Sequence, residues 1–279
     1  MSLRTAANSP YLVTGNVFVK GTATVTLTIE SGVEVRFATN TSLIIGGTGG
    51  TEKGKLMADG SEGTITFTAD GTTTAGYWGG IIFNDYSDDG SLLMNVVVEY
   101  GNANIYCINA SPSIQKSIIK NSSGYGIRCE NSSPWITNDT IKDNSSHGIF
   151  LEGSSKPTIA ISTITGNNYG IYCKDTVPQP TMDNNTIAAN TFAMRISPNT
   201  DFSTNTIYGN TNERIEILGG NITSNKLWKN FNHAYVILGT VSVKGAATAT
   251  LTIEPSVHVR FATNTSLIIG GEGVGKLIG

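Results

Sequence analysis

A five-residue pattern recurs at a fixed step in the middle of this chain, and that step constrains the fold more than any other feature. Tyr125-Gly126-Ile127-Arg128-Cys129, His147-Gly148-Ile149-Phe150-Leu151 and Tyr169-Gly170-Ile171-Tyr172-Cys173 set their glycines 22 residues apart, twice in succession. Later in each unit comes a proline (Pro112, Pro134, Pro157, Pro180), with an apolar residue two positions on: Ile114, Ile136, Ile159 and Met182. The units then close on an apolar residue with asparagine three positions later, in the pairs Ile118/Asn121, Ile141/Asn144, Ile164/Asn167, Ile187/Asn190, Ile207/Asn210 and Leu227/Asn230. Helix–turn–helix repeats need longer units and a period of 3.6, whereas the apolar residues here alternate at period 2 over short runs.

Three short strands with bends between them fill such a unit and return the chain to its start. Stacked at the ~4.8 Å strand spacing, like residues lie over like. Ile105, Ile127, Ile149, Ile171, Met194 and Ile215 then form one inward column, and Cys107, Cys129, Leu151, Cys173, Ile196 and Ile217 the next. Each such side chain contributes roughly 1.5–3 kcal/mol when fully buried, which an isolated unit has no neighbour to provide. The closing asparagines suit bends in the left-handed conformation. They are either rungs of an amide ladder running from coil to coil or surface turn residues.

Composition agrees with an all-β chain: 32 glycines, 39% hydrophobic and only 14% charged residues over 279 positions, a mix poor in helix formers. In units of about 22 residues this gives a parallel β-solenoid of roughly a dozen coils. The formal net charge of −3 offers no basic field for nucleic acid or an anionic membrane. Apolar runs such as Ile81-Ile82-Phe83 are too short to span a bilayer. The composition suggests an exported protein, extracellular or at the cell surface. Met1-Ser2-Leu3-Arg4 opens without an apolar h-region, so an export signal is expected from outside this sequence. Cys107, Cys129 and Cys173 show no zinc spacing and fall on inward positions, as small buried apolar groups.

The phrases Gly-Ile-x-Cys (Gly126 to Cys129, Gly170 to Cys173), Ser132-Ser133-Pro134-Trp135-Ile136 and Ile-x-x-Asn resemble the repeats of the pectin-lyase-like superfamily of parallel β-helices. Leu27-Thr28-Ile29-Glu30-Ser31-Gly32-Val33, Gly54-Lys55-Leu56, Ile65-Thr66-Phe67-Thr68 and Trp78-Gly79-Gly80-Ile81 resemble the lead-in coils of large bacterial and archaeal surface proteins of that group. The resemblance implies a right-handed helix, since the spacing alone allows either hand. It does not choose a function, because the superfamily includes lyases, hydrolases, epimerases and inert surface rods.

A longer repeat overlies the short one. Tyr11 to Gly47 returns as Tyr235 to Gly271, with Phe37 to Gly47 identical to Phe261 to Gly271 and a constant offset of 224 residues. The expected organisation is a lead-in over 1–10, one β-helix module over 11–234 and the start of a second, truncated copy over 235–279. This favours a parent chain of tandem modules that adjoin one another. A natural C-terminus is the rival reading.

Candidate sites are few. A pectinolytic hydrolase would carry Asp pairs, Gly-His-Gly and Arg-x-Lys in fixed order. The fragments Asp88-Asp89-Gly90, His147-Gly148 and Asn199-Thr200-Asp201 stand in the wrong order, so no catalytic residue is assigned and His147 reads as a turn residue. Glu130, Glu152, Lys174 and Arg128 stack outward, either as a calcium-lyase-like cluster or as a mixed-charge ladder, and Glu152 is expected to be dispensable for stability. Asp85, Asp88 and Asp89 are weak ligands for Ca2+, against a plain Asp/Gly turn. Trp78 and Trp228 read as packing residues, and His233 and His258 have no evident partner.

One outward column, Tyr106, Arg128, Phe150 and Tyr172 with Arg195 beyond, is the candidate carbohydrate site, a flat apolar strip on which sugar rings stack. The competing readings are a covering loop or rings stacked for stability with Arg128 in cation–π contact. The expected function is a structural or adhesive module that binds polysaccharide or cell-surface glycan weakly. The alternative is a polysaccharide-active lyase or epimerase.

Overall fold

Period-2 alternation becomes short parallel strands, each turned through a corner before the next begins. The computed structural model describes residues 9–279 and the backbone of Ser2–Leu3; the rest of the 1–10 lead-in lies outside the described residues. All regular structure among these residues is β. Successive strands pass in rotation to three parallel sheets: sheet A of eight strands, sheet B of nine and sheet C of eleven. Two three-stranded sheets continue the first two faces near the C-terminus, beginning at Gly220–Ile222 and Lys226–Trp228. The result is a β-helix of about a dozen turns, as the repeat length requires.

The inward columns stand as expected. Ile105, Ile127, Ile149, Ile171, Met194 and Ile215 are in register from coil to coil and all 0% exposed. Ile114, Ile136, Ile159 and Met182, two residues after each proline, form a matching column in sheet A. Clearance is why glycine recurs at 126, 148 and 170. A Cβ on Gly148 would lie 2.7 Å from the Gly170 carbonyl oxygen and 2.8 Å from Ile164 Cγ2. The run ends at Ala193, where pairing with the following strand is irregular. Sheet A lapses after Thr181–Asp183, and the strandless segment 197–205 plugs the core with Phe202 instead.

Polar ladders line the corners. Between sheets B and C, Asn144 Nδ2 donates to Asn167 Oδ1 (3.0 Å), Asn167 to Asn190 (3.0 Å) and Asn190 to Asn210 (3.2 Å), all four buried. These rungs are not themselves left-handed. The residue before each one is: Asp143, Gly166, Ala189 and Gly209 all have positive φ. The bend thus turns the next side chain inward. Two of the six sequence pairs prove out of phase. Ile119 and not Ile118 aligns with Ile141, so Ser122 takes the rung and Asn121 is the left-handed residue before it. At the far end His233 replaces Asn230, 3.3 Å from Asn210 Nδ2. A second ladder, between sheets A and B, runs through Ser117, Asp139, Ser162, Asn185 and Asn205. A short third, between C and A, uses Ser132 and Ser155. Buried polar groups linked this way hold the coil register without leaving backbone donors unpaired.

The cysteines are free and fully buried. Cys107 and Cys129 are register neighbours. Burial raises the Cys107 thiol well above its ordinary value and pushes Cys173 up to about 12. Native protein should therefore label with a thiol reagent at least ~100-fold more slowly than denatured protein. Rapid labelling of the native chain would contradict this core.

Candidate functional site

The outward side of sheet C carries three side-chain columns, because strands such as Tyr125–Glu130 and His147–Glu152 are six residues long. The middle column is the one expected: Tyr106, Arg128, Phe150, Tyr172 and Arg195 lie on consecutive coils in direct register. On one side Tyr125, His147, Tyr169 and Phe192 align. On the other are Glu130 and Glu152, with Lys174 on the next coil.

The columns interlock. The Arg128 guanidinium sits 4.4 Å from the Tyr106 ring centroid and donates from Nε to Glu152 Oε1 at 2.9 Å. Lys174 Nζ reaches the other Glu152 oxygen at 2.8 Å. The Tyr106 hydroxyl bonds Glu130. Phe150 stacks on Tyr125 at 4.7 Å and Tyr172 on His147 at 4.4 Å. Further along, Arg195 lies over Tyr172 and Arg214 over Phe192, while the Tyr169 hydroxyl donates to Glu216 Oε2 at 3.1 Å.

Three expectations change. The strip is not a flat apolar surface: Phe150 is only 8% exposed, because the Tyr125 and Tyr172 rings one coil below and above stack on it, and ion-paired charges and a bonded hydroxyl lie among the rings. His147 is no turn residue but opens a strand within the aromatic column, where burial pulls its pKa down to about 4. Glu152 is not dispensable by position, being 8% exposed. Burial raises its pKa, and the Lys174 and Arg128 hydrogen bonds outweigh that and hold it below the usual range. The charges form a mixed ladder. Sequence reasoning missed the column Tyr125, His147, Tyr169 and Phe192, although its signal was an aromatic ring before each repeat glycine.

This stacked progression of three parallel sheets has a counterpart in a family model, described as a right-handed β-helix region, which matches residues 79–231. The chain belongs to that right-handed β-helix family. Comparison with curated proteins and with solved structures gives no match. The family model covers the whole strip of sheet C, so the strip sits within the β-helix proper.

The remaining candidates are dispersed elsewhere on this β-helix. Asp85, Asp88 and Asp89 border an open recess of about 450 Å3 with Lys53. Asp88 accepts the Gly90 backbone N–H at 2.8 Å and lies 3.6 Å from Lys55, while Asp89 accepts the Ser111 N–H at 2.7 Å. Among the described residues no three His, Cys, Asp or Glu side chains gather in a metal-binding group. Trp78 is 1% exposed, stacks on Phe37 at 4.1 Å and donates to the Glu99 carbonyl. Trp228 is equally buried, against Tyr235. His258 lies exposed with Arg214 and Arg260 at a polar recess of about 660 Å3.

Proposed function

We propose that this chain is a structural and adhesive surface module whose β-helix holds a patterned face, the strip on sheet C, against extended polysaccharide. The observation that carries the reading is the strip itself: hydroxyls, guanidinium groups and carboxylates fixed at strand spacing over successive coils by stacking and ion pairs. Tyr106, Arg128 and Tyr172 remain partly exposed and offer hydrogen bonds and ring edges to sugar hydroxyls. Because the groups are preorganised, little side-chain entropy is lost on contact, yet each contact is small and competes with water. Affinity per module is therefore modest and rises with avidity.

The strip suits binding better than turnover. A lyase or epimerase needs a general acid or base with a pKa near the working pH. The enclosed carboxylate Glu152 is pinned as an anion by two cations, and the imidazole of His147 is kept neutral and weakly basic.

A glycan array on the full chain, followed by titration of the best oligosaccharide, tests the reading. Tyr106→Ala/Tyr172→Ala should weaken binding at least ~10-fold, while Trp135→Ala on sheet A, 53% exposed, should not. Equal binding by the double variant removes the strip, and turnover of the glycan moves the protein to the enzymes.

A further inference from the structure

The 224-residue repeat does not return to the face it left. Tyr11–Val13 lies in sheet B, whereas its copy, in Ala234–Ile237, lies in sheet C. One corner separates Tyr11–Val13 from Val17–Val19, the first strand of sheet C, and nine strand spacings along that sheet then lead to Ala234–Ile237. The unit therefore advances by nine turns and one third. Its other strands follow suit. Val17–Val19 belongs to sheet C, but its copy Val241–Val243 stacks on Gly220–Ile222, on the face of sheet A. Val25–Ile29 belongs to sheet A, but Ala249–Ile253 stacks on Lys226–Trp228, on the face of sheet B.

The second copy also shows what covers the underside of such a coil. Tyr235, Ile237, Val241, Val243, Ala249 and Leu251 are all 0% exposed, seated on the coil formed by Asn212–Ile217, Gly220–Ile222 and Lys226–Trp228. In the first copy Ser2–Leu3 supplies a strand beside Val25–Ile29. Val17–Val19 has a strand neighbour on one side only among the described residues. There the counterparts Tyr11, Val13 and Val17 are only half-buried and Val25 is 38% exposed. They line an apolar recess of about 200 Å3 that Leu27 and Phe37 also border.

We infer that this apolar end is a docking face for a coil of the kind Asn212–Trp228, supplied by a second copy of the 224-residue unit, and that units so joined form one continuous β-helix turned by a third of a turn at each junction. The occupant follows from identity of surface. Tyr11, Val17, Val19, Leu27 and Ile29 recur unchanged as Tyr235, Val241, Val243, Leu251 and Ile253, and within this chain that surface is already seated on such a coil. Open strand edges and exposed core side chains both favour being covered. Each unit adds about 45 Å of rod at the ~4.8 Å coil spacing. The strip of sheet C passes to the face of sheet A in the next unit and to that of sheet B in the third. A run of three units thus presents it on all three sides. This inference is independent of what the strip binds.

The test is a chain carrying residues 11–234 twice in tandem, followed by 235–279. Hydrogen exchange at the second-copy amides of 11–19 should slow at least ~100-fold relative to the single chain. Small-angle scattering should show one rigid rod lengthened by about 45 Å, and a cryo-electron-microscopy map should place the two strips a third of a turn apart. Unchanged exchange, two hinged bodies, or strips on the same side would overturn it. Should the tandem chain fail to fold, the single chain holds the same junction. There Trp228→Ala should speed exchange over 235–253 at least ~10-fold and leave 105–171 unchanged. Uniform change or none would count equally against the docking face.

Discussion

Ile149→Asp should leave no folded protein at ordinary temperature. Ile149 is 0% exposed, with Ile127 beneath it and Ile171 above in the same register. The substitution removes roughly 1.5–3 kcal/mol of apolar burial and sets a carboxyl among aliphatic groups that offer it no hydrogen bond, a further cost of several kcal/mol. Together these approach the whole stability of a domain, about 5–15 kcal/mol. Damage also spreads, since each coil is stabilised by its neighbours. Thr163→Asp, an outward and exposed position on the same coil, should shift the melting temperature by only a few degrees. Circular dichroism and soluble yield read both variants, and similar losses at the two positions would refute the in–out assignment.

Asp139→Asn should make the protein more stable, by a margin that depends on pH. Asp139 occupies the ladder between sheets A and B, 2% exposed. Its Oδ1 accepts the Ser117 N–H at 2.7 Å, while Oδ2 is buried without a partner. Burial pushes its pKa up from 3.8 to about 8, against the lowering effect of the Ser117 backbone hydrogen bond. Two and three coils later the same corner holds Asn185 and Asn205, whose Nδ2 groups donate to the carbonyls of Ile159 (2.7 Å) and Met182 (3.2 Å). An amide at 139 supplies the donor that an ionised carboxylate lacks.

The sign follows from linkage. A carboxyl whose folded pKa is raised is tolerated in its neutral form, so its contribution is whole below about pH 4. It is then lost steadily until pH passes about 8. The gap between variant and wild type should open across that window and level off above it, on the order of 5 kcal/mol at most. Denaturant unfolding at pH 4, 6 and 9 measures it. A variant less stable than wild type at pH 9, or a gap independent of pH, would show that Asp139 is ionised and satisfied in the native protein.

Position 139 also marks where the sequence stops being legible. The glycine step and the period-2 runs determined the β-helix, its inward columns and the register of the sheet C strip. Those signals are local: they depend only on which face of a strand a residue occupies. The ladder of Ser117, Asp139, Ser162, Asn185 and Asn205 left no such pattern, because serine, aspartate and asparagine all serve one corner. The pairing of Ile118 with Asn121 failed by a single residue, since both Ile118 and Ile119 are apolar and only stacking on Ile141 selects the inward one.

Outward burial was equally hidden. Phe150 and Glu152 are enclosed by side chains on neighbouring coils, about 22 residues away in sequence, whose rotamers and ion pairs no strand pattern encodes. The 224-residue repeat was plain in the sequence, but its third-turn offset was not. That offset depends on how the irregular segment 197–205 crosses a face without forming a strand, which the tertiary structure alone decided.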